Sequence, residues 1–300
     1  MSKTLKYSLL VFLGGCAYGV MVPLVRSAFL GGFTTMELLI AQYLFAAVFL
    51  GVVVLLFSRR KMSGKALLQL LGLGAIAVCV SFNYYHALEL LPAATAVTLL
   101  FQFVWIGVVF QAVIDRRLPS TMTFLSVAIV MVGTLFAAGV FEQQGAQLNA
   151  LGIVYGLLSA VFYAAFLLLS GKVAVELPTF NRTFITTLGS LLVALAISPG
   201  FFFDGALGRG LAIFALPLAL FGIAAPILLI QKGAPHLPGG VITIMASSEL
   251  PSGVLMAAVF LHDRISALVI FGVALILAGI VLSQFDELRA FRKPLKQHDE

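Results

Sequence analysis

The sequence predicts an all-α polytopic membrane protein, with ten transmembrane helices arranged as an inverted repeat of two five-helix units. Three observations predict it. Of 300 residues, 61% are hydrophobic and only 10% are charged, with a mean hydropathy of +1.12, whereas about a quarter of a soluble domain is charged. Apolar runs recur with short interruptions, each near the roughly 20 residues that a bilayer span requires. Local motifs of the first half also return in the second at a near-constant offset.

Breaks at Gly, Pro and charge place the spans near 6–29, 34–57, 66–89, 93–114, 120–140, 150–171, 179–198, 211–234, 238–261 and 265–285. Lys3 and Lys6 ahead of an apolar run, with Leu13-Gly14-Gly15-Cys16, loosely resemble a secretion signal and lipoprotein cleavage box. The run continues through Val25, beyond the length of a signal's apolar region, and so is the first span. Leu90-Leu91-Pro92 leaves almost no loop before the fourth. Pro217 and Pro226 interrupt the eighth, as hinge points or as accommodated kinks. The fifth and tenth carry little polarity beyond Ser126, Thr134, Ser266 and Ser283, and read as peripheral supports. Cys16 and Cys79 both lie in apolar runs and suggest neither a disulfide framework nor a metal site.

Orientation follows from the basic residues, whose excess stays cytoplasmic. With the N-terminus inside, only Arg26, Arg209 and Arg264 of the 18 Lys and Arg fall outside. An error of one span in the middle would scramble that bias, so both termini are expected in the cytoplasm, in a bacterial inner membrane. The net charge of +6 arises at span ends and warrants no nucleic-acid partner. Lys232 and His236 read as snorkelling anchors at the inner edge, and Glu37 as a solvated helix-start carboxylate.

The halves resemble each other. Leu91-Pro92-Ala93-Ala94 opens the fourth span as Leu237-Pro238-Gly239-Gly240 opens the ninth, 146 residues later, and Asp115-Arg116 corresponds to Asp263-Arg264 at an offset of 148. Gly14-Gly15 with Tyr18-Gly19 matches Ser159-Ala160 with Tyr163-Ala164 at about the same separation. Five spans per copy is an odd number, so the second copy is inverted. The repeats are 1–145 and 146–288, followed by a basic tail, 289–300, whose Arg289, Arg292, Lys293 and Lys296 suit anionic lipid.

The chemistry centres on Gly239 to Leu261, where Ser247-Ser248-Glu249-Leu250-Pro251 puts a carboxylate at mid-membrane depth. Ionisable groups there are costly and face a bundle interior or a wet cavity. Pro251 leaves a carbonyl near Ser247 without its amide. Ala246, Glu249, Gly253 and Ala257 share one helical stripe, open to close approach. The alternative is a Glu acting as structural glue. Ser81-Phe82-Asn83-Tyr84-Tyr85-His86 in the third span is the densest polar and aromatic run; Asn83 and Tyr84 are candidate cavity residues, whereas Tyr85 and His86 fit a cavity or an interfacial belt equally. Thr98, Gln102 and Trp105 share a face of the fourth span at central depth, as cavity lining or helix contact. Tyr18 with Pro23, and Tyr163 in the repeat-related span, are further cavity candidates or structural aromatics. Neither cofactor box nor metal-ligand cluster is visible.

These features resemble the EamA-type branch of the drug/metabolite transporter superfamily over nearly the whole chain. The residues that carry the resemblance are Tyr18-Gly19, Glu249-Leu250-Pro251, His262-Asp263-Arg264, Gly272 and Ala278-Gly279. It implies ten helices in an inverted repeat and a secondary transporter, most simply an exporter of amino acids, amines or related small molecules by alternating access. The sequence departs from the family at Gln42, where an Arg is frequent, and in the first repeat, where Phe101-Gln102-Phe103-Val104-Trp105 replaces the Glu-Pro element. Partners are then a small-molecule substrate and the bilayer, with protons a candidate coupling ion and a homodimer one open assembly. An intramembrane enzyme would need paired acids or a Ser/His arrangement at one depth. Glu249 has no such neighbour in the sequence, and no large soluble loop supports a receptor or scaffold.

The basic asymmetry gives a direct check. Cysteine labelling should place sites near Arg60, Arg117 and Lys293 inside, and sites near Gln144 and Gly205 outside. Labelling of Lys293→Cys from outside would overturn the span count.

Overall fold

A computed structural model describes residues 3–58, 62–142, 149–261 and 265–292, and the regular structure in them is helical throughout. Arg59 to Lys61, Gln144, the junction between the proposed repeats, His262-Asp263-Arg264, and Lys293 and Lys296 lie outside the described residues. The helices are α1 (Lys3–Leu30), α2 (Thr35–Phe57), α3 (Gly64–Leu90), α4 (Ala93–Leu100), α5 (Phe103–Asp115), α6 (Thr121–Ala137), α7 (Ala150–Ser170) and α8 (Thr179–Ile197). They continue with α9 (Ala212–Leu218), α10 (Ala225–Gly233), α11 (Gly239–Ala246), α12 (Glu249–Leu261) and α13 (Ala267–Arg292).

Eight helical stretches are long and apolar enough to cross a membrane, with α4 and α5, α9 and α10, and α11 and α12 each forming one stretch. Thr121–Ala137 and Ala267–Ser283 are apolar but shorter. Helices are the expected solution, since lipid offers no partner to a free backbone amide or carbonyl. Their starts are set locally. Thr34 and Glu37 form a reciprocal capping box at α2, Ser63 and Ser120 cap α3 and α6, and Asn149 caps α7. Pro92, Pro178 and Pro238 precede α4, α8 and α11, each after a Leu, with extended ψ values of 140°, 138° and 146°. A chain so turned has no donor to leave unpaired at the start of the next helix.

Two stretches read from the sequence as continuous helices are broken. α-Helical bonding lapses at Phe101-Gln102 between α4 and α5, and again at Ser247-Ser248 between α11 and α12, 146 residues further on. Tight three-residue bonds bridge both, Gln102 N to Leu99 O at 3.2 Å and Ser248 N to Met245 O at 3.2 Å. Pro251 consequently stands in the first turn of α12, where no amide is required of it, rather than inside a continuous helix. A π-helical segment, Ala219–Ala224, separates α9, which contains Pro217, from α10, which has Pro226 in its first turn. The wider turn ends with the Ala225 amide on the Leu220 carbonyl, five residues back, just before Pro226. Pro23 lies within α1, which continues through it.

The packing follows a regular plan. α3 packs on α7 and α8; α1 packs on α10, α11 and α12; α2 meets α8 and the π segment; α5 meets α7 and α11; α4 meets α7. α6 and α13 pack chiefly against each other, on small residues: a Cβ on Gly133 would meet the Gly272 carbonyl and the Ile276 amide at 2.9 Å. Backbones that approach so closely gain dispersion where lipid supplies no hydrophobic drive.

This contact yields a stability test. Gly133→Val should cost about 1–3 kcal/mol, because a crowded backbone interface cannot shift to admit it. Gly72, which has open space where a side chain would go, should tolerate Ala with a gain of about 0.5–1 kcal/mol. Thermal unfolding of purified protein in detergent reads both; equal effects would contradict the α6–α13 contact.

Candidate functional site

The break between α11 and α12 is pinned to α1. Ser248 Oγ donates to the Phe12 carbonyl at 2.7 Å and Ser252 Oγ to the Cys16 carbonyl at 2.8 Å. Gly15 and Gly19 make that approach feasible, since a Cβ at either would strike the Ser247-to-Gly253 segment or the Ala246 carbonyl. Ser247 turns back to its own helix, Oγ to Ile244 O at 2.6 Å. Both serines are fully buried and hold backbone, while the next residue, Glu249, begins a helix whose first amides favour a negative charge.

Glu249 stands at the floor of a cavity of about 770 Å³. The cavity rises from Glu249, Tyr18 and Tyr163 past Tyr43, Tyr84 and Tyr85 to a mouth carrying Arg26, Leu30, Glu89 and Ala138. Gly253 and Ala257, on the Glu249 stripe, complete one wall. Tyr163 Oη donates to Glu249 Oε2 at 3.1 Å. The Tyr163 ring is held against Phe103 at 4.5 Å and edge-on to Tyr18 at 6.0 Å. Tyr43 Oη lies 3.2 Å from Ser81 Oγ on the opposite wall. Such a space, mostly apolar and aromatic with few convergent polar groups, suits an organic solute.

Of the residues singled out from the sequence, Tyr18, Tyr84, Tyr163 and Glu249 line this cavity, and Asn83, Thr98, Gln102, Trp105, Ser247 and Ser248 lie outside its lining. The cause is helical phase: α3 lines the cavity with residues such as Ala77, Ser81, Tyr84 and Leu88, and α4 with Ala93, Val97 and Leu100, so the others face elsewhere and are satisfied locally. Asn83 Nδ2 donates to the Cys79 carbonyl at 2.7 Å, Thr98 Oγ1 to Ala94 O at 2.8 Å, and Gln102 Nε2 to Thr98 O at 2.9 Å. Trp105 Nε1 donates to Gln102 Oε1 at 2.8 Å, with its ring 43% exposed on the outside of the bundle. A polar side chain in a membrane span can bond one turn back along its own helix, so depth alone does not bring it to a cavity.

Sequence reasoning passed over Tyr43, a lone tyrosine in an apolar run. It also took Glu37 for a solvated carboxylate. Glu37 is 8% exposed, accepts from the Thr34 amide at 2.7 Å, and pairs with Arg209. Glu89 is tied at the mouth, accepting from Thr35 Oγ1 at 2.6 Å and meeting His86 Nδ1 at 2.7 Å. Gln42, fully buried, lies beside the Tyr85 hydroxyl without a well-formed bond.

Among the described residues, the helix ends at the face opposite the mouth contribute nothing to the cavity lining and pack on one another. His236 stacks on Tyr7 with ring centroids 3.6 Å apart and planes within 6°, and Ala234 O stands 3.0 Å from where a Gly171 Cβ would be. Arg182 is 2% exposed in the first turn of α8. No group of three or more His, Cys, Asp or Glu that could hold a metal is present among the described residues.

A helical membrane protein with a solute-sized aromatic cavity, open at one face and ending on a buried acid, is the class that these features define. Residues 150–285 match the EamA-like transporter family. The chain is 24% identical over 195 residues to the uncharacterized transporter YcbK of Bacillus subtilis (strain 168), a match covering 61% of this chain and 61% of that one. It is 23% identical over 230 residues to the uncharacterized transporter sll1319 of Synechocystis sp. (strain ATCC 27184 / PCC 6803 / Kazusa), covering 73% of this chain and 67% of that one. A crystal structure at 16% identity superposes with a TM-score of 0.74, covering 95% of this chain and 98% of that chain, and shares the fold. The EamA-like match over residues 150–285 and the likeness to these two transporters support a place in the drug/metabolite transporter superfamily.

The cavity assignment separates two kinds of residue. Trp105→Ala should leave solute binding unchanged, because its ring lies outside the cavity. Tyr163→Phe should keep the ring contacts but weaken binding about fivefold through the lost hydrogen bond at Glu249. Equilibrium binding of a solute first identified by counterflow checks both.

Proposed function

We propose that this chain is a secondary transporter that moves small organic metabolites, such as amino acids, amines or related compounds, across a bacterial inner membrane by alternating access, in the direction of export. The observation that carries this reading is the cavity: open at one face, wide enough for a small organic solute, and closed beyond Glu249 by packed backbone.

The reading includes ten spans in an inverted repeat of 1–145 and 146–288. Pairing α1, α2, α3, α4–α5 and α6 with α7, α8, α9–α10, α11–α12 and α13 in order supports it. Under that exchange α3 on α7 becomes α10 on α1, and α1 on α12 becomes α7 on α5. The pairs α2 with α8 and α6 with α13 map onto themselves. The helix breaks, 146 residues apart, correspond as well. A chain whose two halves are alike but inverted has two related arrangements, with the cavity open to one side or to the other.

Glu249 is the group we assign to coupling. A carboxyl that faces a cavity open to water can load or release a proton there, and the same oxygen can instead neutralise a substrate ammonium. Tyr163 holds one of its oxygens, and the aromatic walls offer ring faces to an apolar body or a cation.

Counterflow in proteoliposomes, using solutes that differ in abundance between cells with and without the protein, tests transport directly. Glu249→Gln keeps shape and hydrogen bonding but cannot ionise. It should retain exchange and lose accumulation driven by a pH gradient if the carboxyl carries protons, or lose binding of amines if it is their counter-charge. Wild-type flux and pH dependence in Glu249→Gln would leave the acid a structural role only.

A further inference from the structure

Arg182 is the buried charge that the cavity does not use. Its guanidinium reaches two helix ends: Nη1 donates to the Gln231 carbonyl at 2.8 Å and Nη2 to the Ser170 carbonyl at 2.5 Å. Ser170 is the last residue of α7 and Gln231 lies in the last turn of α10. Carbonyls there have no amide partner in their own helix and carry the negative end of its dipole. The Gln231 side chain is clamped to α8 too, accepting from Thr183 Oγ1 at 3.1 Å and donating to Thr186 Oγ1 at 2.9 Å.

Among the described residues Arg182 makes no ion pair; the carboxylate that acts on it from a distance, Glu176, is exposed. The two helix ends therefore neutralise this cation between them. If α7 and α10 part, the guanidinium loses one partner while still buried, and an unpaired charge in that setting is costly. The junction is thus either fully made or fully broken. It lies at the end of α10 where a Cβ on Gly233 would meet the Tyr7 carbonyl at 2.7 Å, two residues after Gln231. In the exchange of halves, α7 and α10 are the counterparts of α1 and α3, whose C-terminal ends carry Phe29 and Leu88 at the open cavity.

We propose that Arg182 is the latch that seals the face opposite the mouth, holding the C-terminal ends of α7 and α10 together while the mouth is open, and that releasing it lets the seal part as the mouth closes. This rests on the alternating-access reading above.

The test uses the full chain in detergent with Cys16→Ala and Cys79→Ala. One reporter is placed behind the seal, Ala234→Cys, at 1% exposure; another is placed at the mouth, Leu88→Cys. Fluorescein maleimide labelling rates are read for each. Arg182→Met should speed labelling of Ala234→Cys about tenfold, the scale of one lost hydrogen bond to a charged group, and slow labelling of Leu88→Cys. Arg182→Lys, which keeps the charge but reaches one carbonyl at a time, should fall between. Unchanged rates overturn the latch, and so does faster labelling at both sites, which is mere loosening. Should Arg182→Met fail to fold, Arg182→Lys decides: it keeps the buried charge but holds one helix end at a time, so it should shift both rates in the same opposed directions, and no shift overturns the proposal. Counterflow on the same samples keeps the two readings apart. Opposed rates without flux leave the latch standing and sink transport; flux with unchanged rates does the reverse.

Discussion

The hydrogen bonds from Ser248 to Phe12 and from Ser252 to Cys16 join a broken helix to an unbroken one, and much of the structure follows from them. A lapse in helical bonding within a bilayer is tolerable only where protein surrounds it. α1 supplies that cover, and Gly15 and Gly19 let it come within bonding distance. The contact has two consequences. It closes the bundle on one side of the break, and it presents the first residue of α12, Glu249, to the space on the other.

What fills that space is decided by the difference between the halves. The break after α4 is followed by Phe103 and the break after α11 by Glu249, at the same 146-residue offset. Phe103 packs against the Tyr163 ring, whose hydroxyl bonds Glu249. One half thus contributes an aromatic buttress and the other the acid that it supports. A second acid at the Phe103 position would set two like charges into one desolvated floor, each opposing the other's ionisation. A single carboxyl leaves the rest of the cavity free to be apolar.

The polar residues of α8 show the same economy of placement. Thr183, Thr186 and Ser190 recur at helical spacing and are fully buried, with Arg182 at their head. Ser190 Oγ donates to the Gly74 carbonyl of α3 at 2.8 Å, and Thr186 and Thr183 hold Gln231 of α10. Polar groups on a membrane helix that face protein can link several neighbours at once. Here they fasten α8 to both halves of the bundle and bring a cation to two helix ends.

The sequence by itself determined the elements and the acid. Apolar runs of spanning length, the Leu-Pro starts at 92, 178 and 238, and capping residues such as Thr34 and Asn149 act through neighbours along the chain, so helices stand where those signals lie. Glu249 was legible because its cost at mid-membrane depth holds whatever surrounds it, and Tyr18, Tyr84 and Tyr163 because large amphipathic rings that deep rarely face lipid alone. Only the tertiary structure decided direction. Asn83, Gln102 and Trp105 share depth with the cavity but stand off the helical faces that line it, and bond along their own helices instead. Tyr43 and Arg182 gain their places from partners on other helices. A side chain's depth is written in the order of residues along one span, but the partner it meets depends on how close another helix comes, and that is set by packing among residues far apart in sequence.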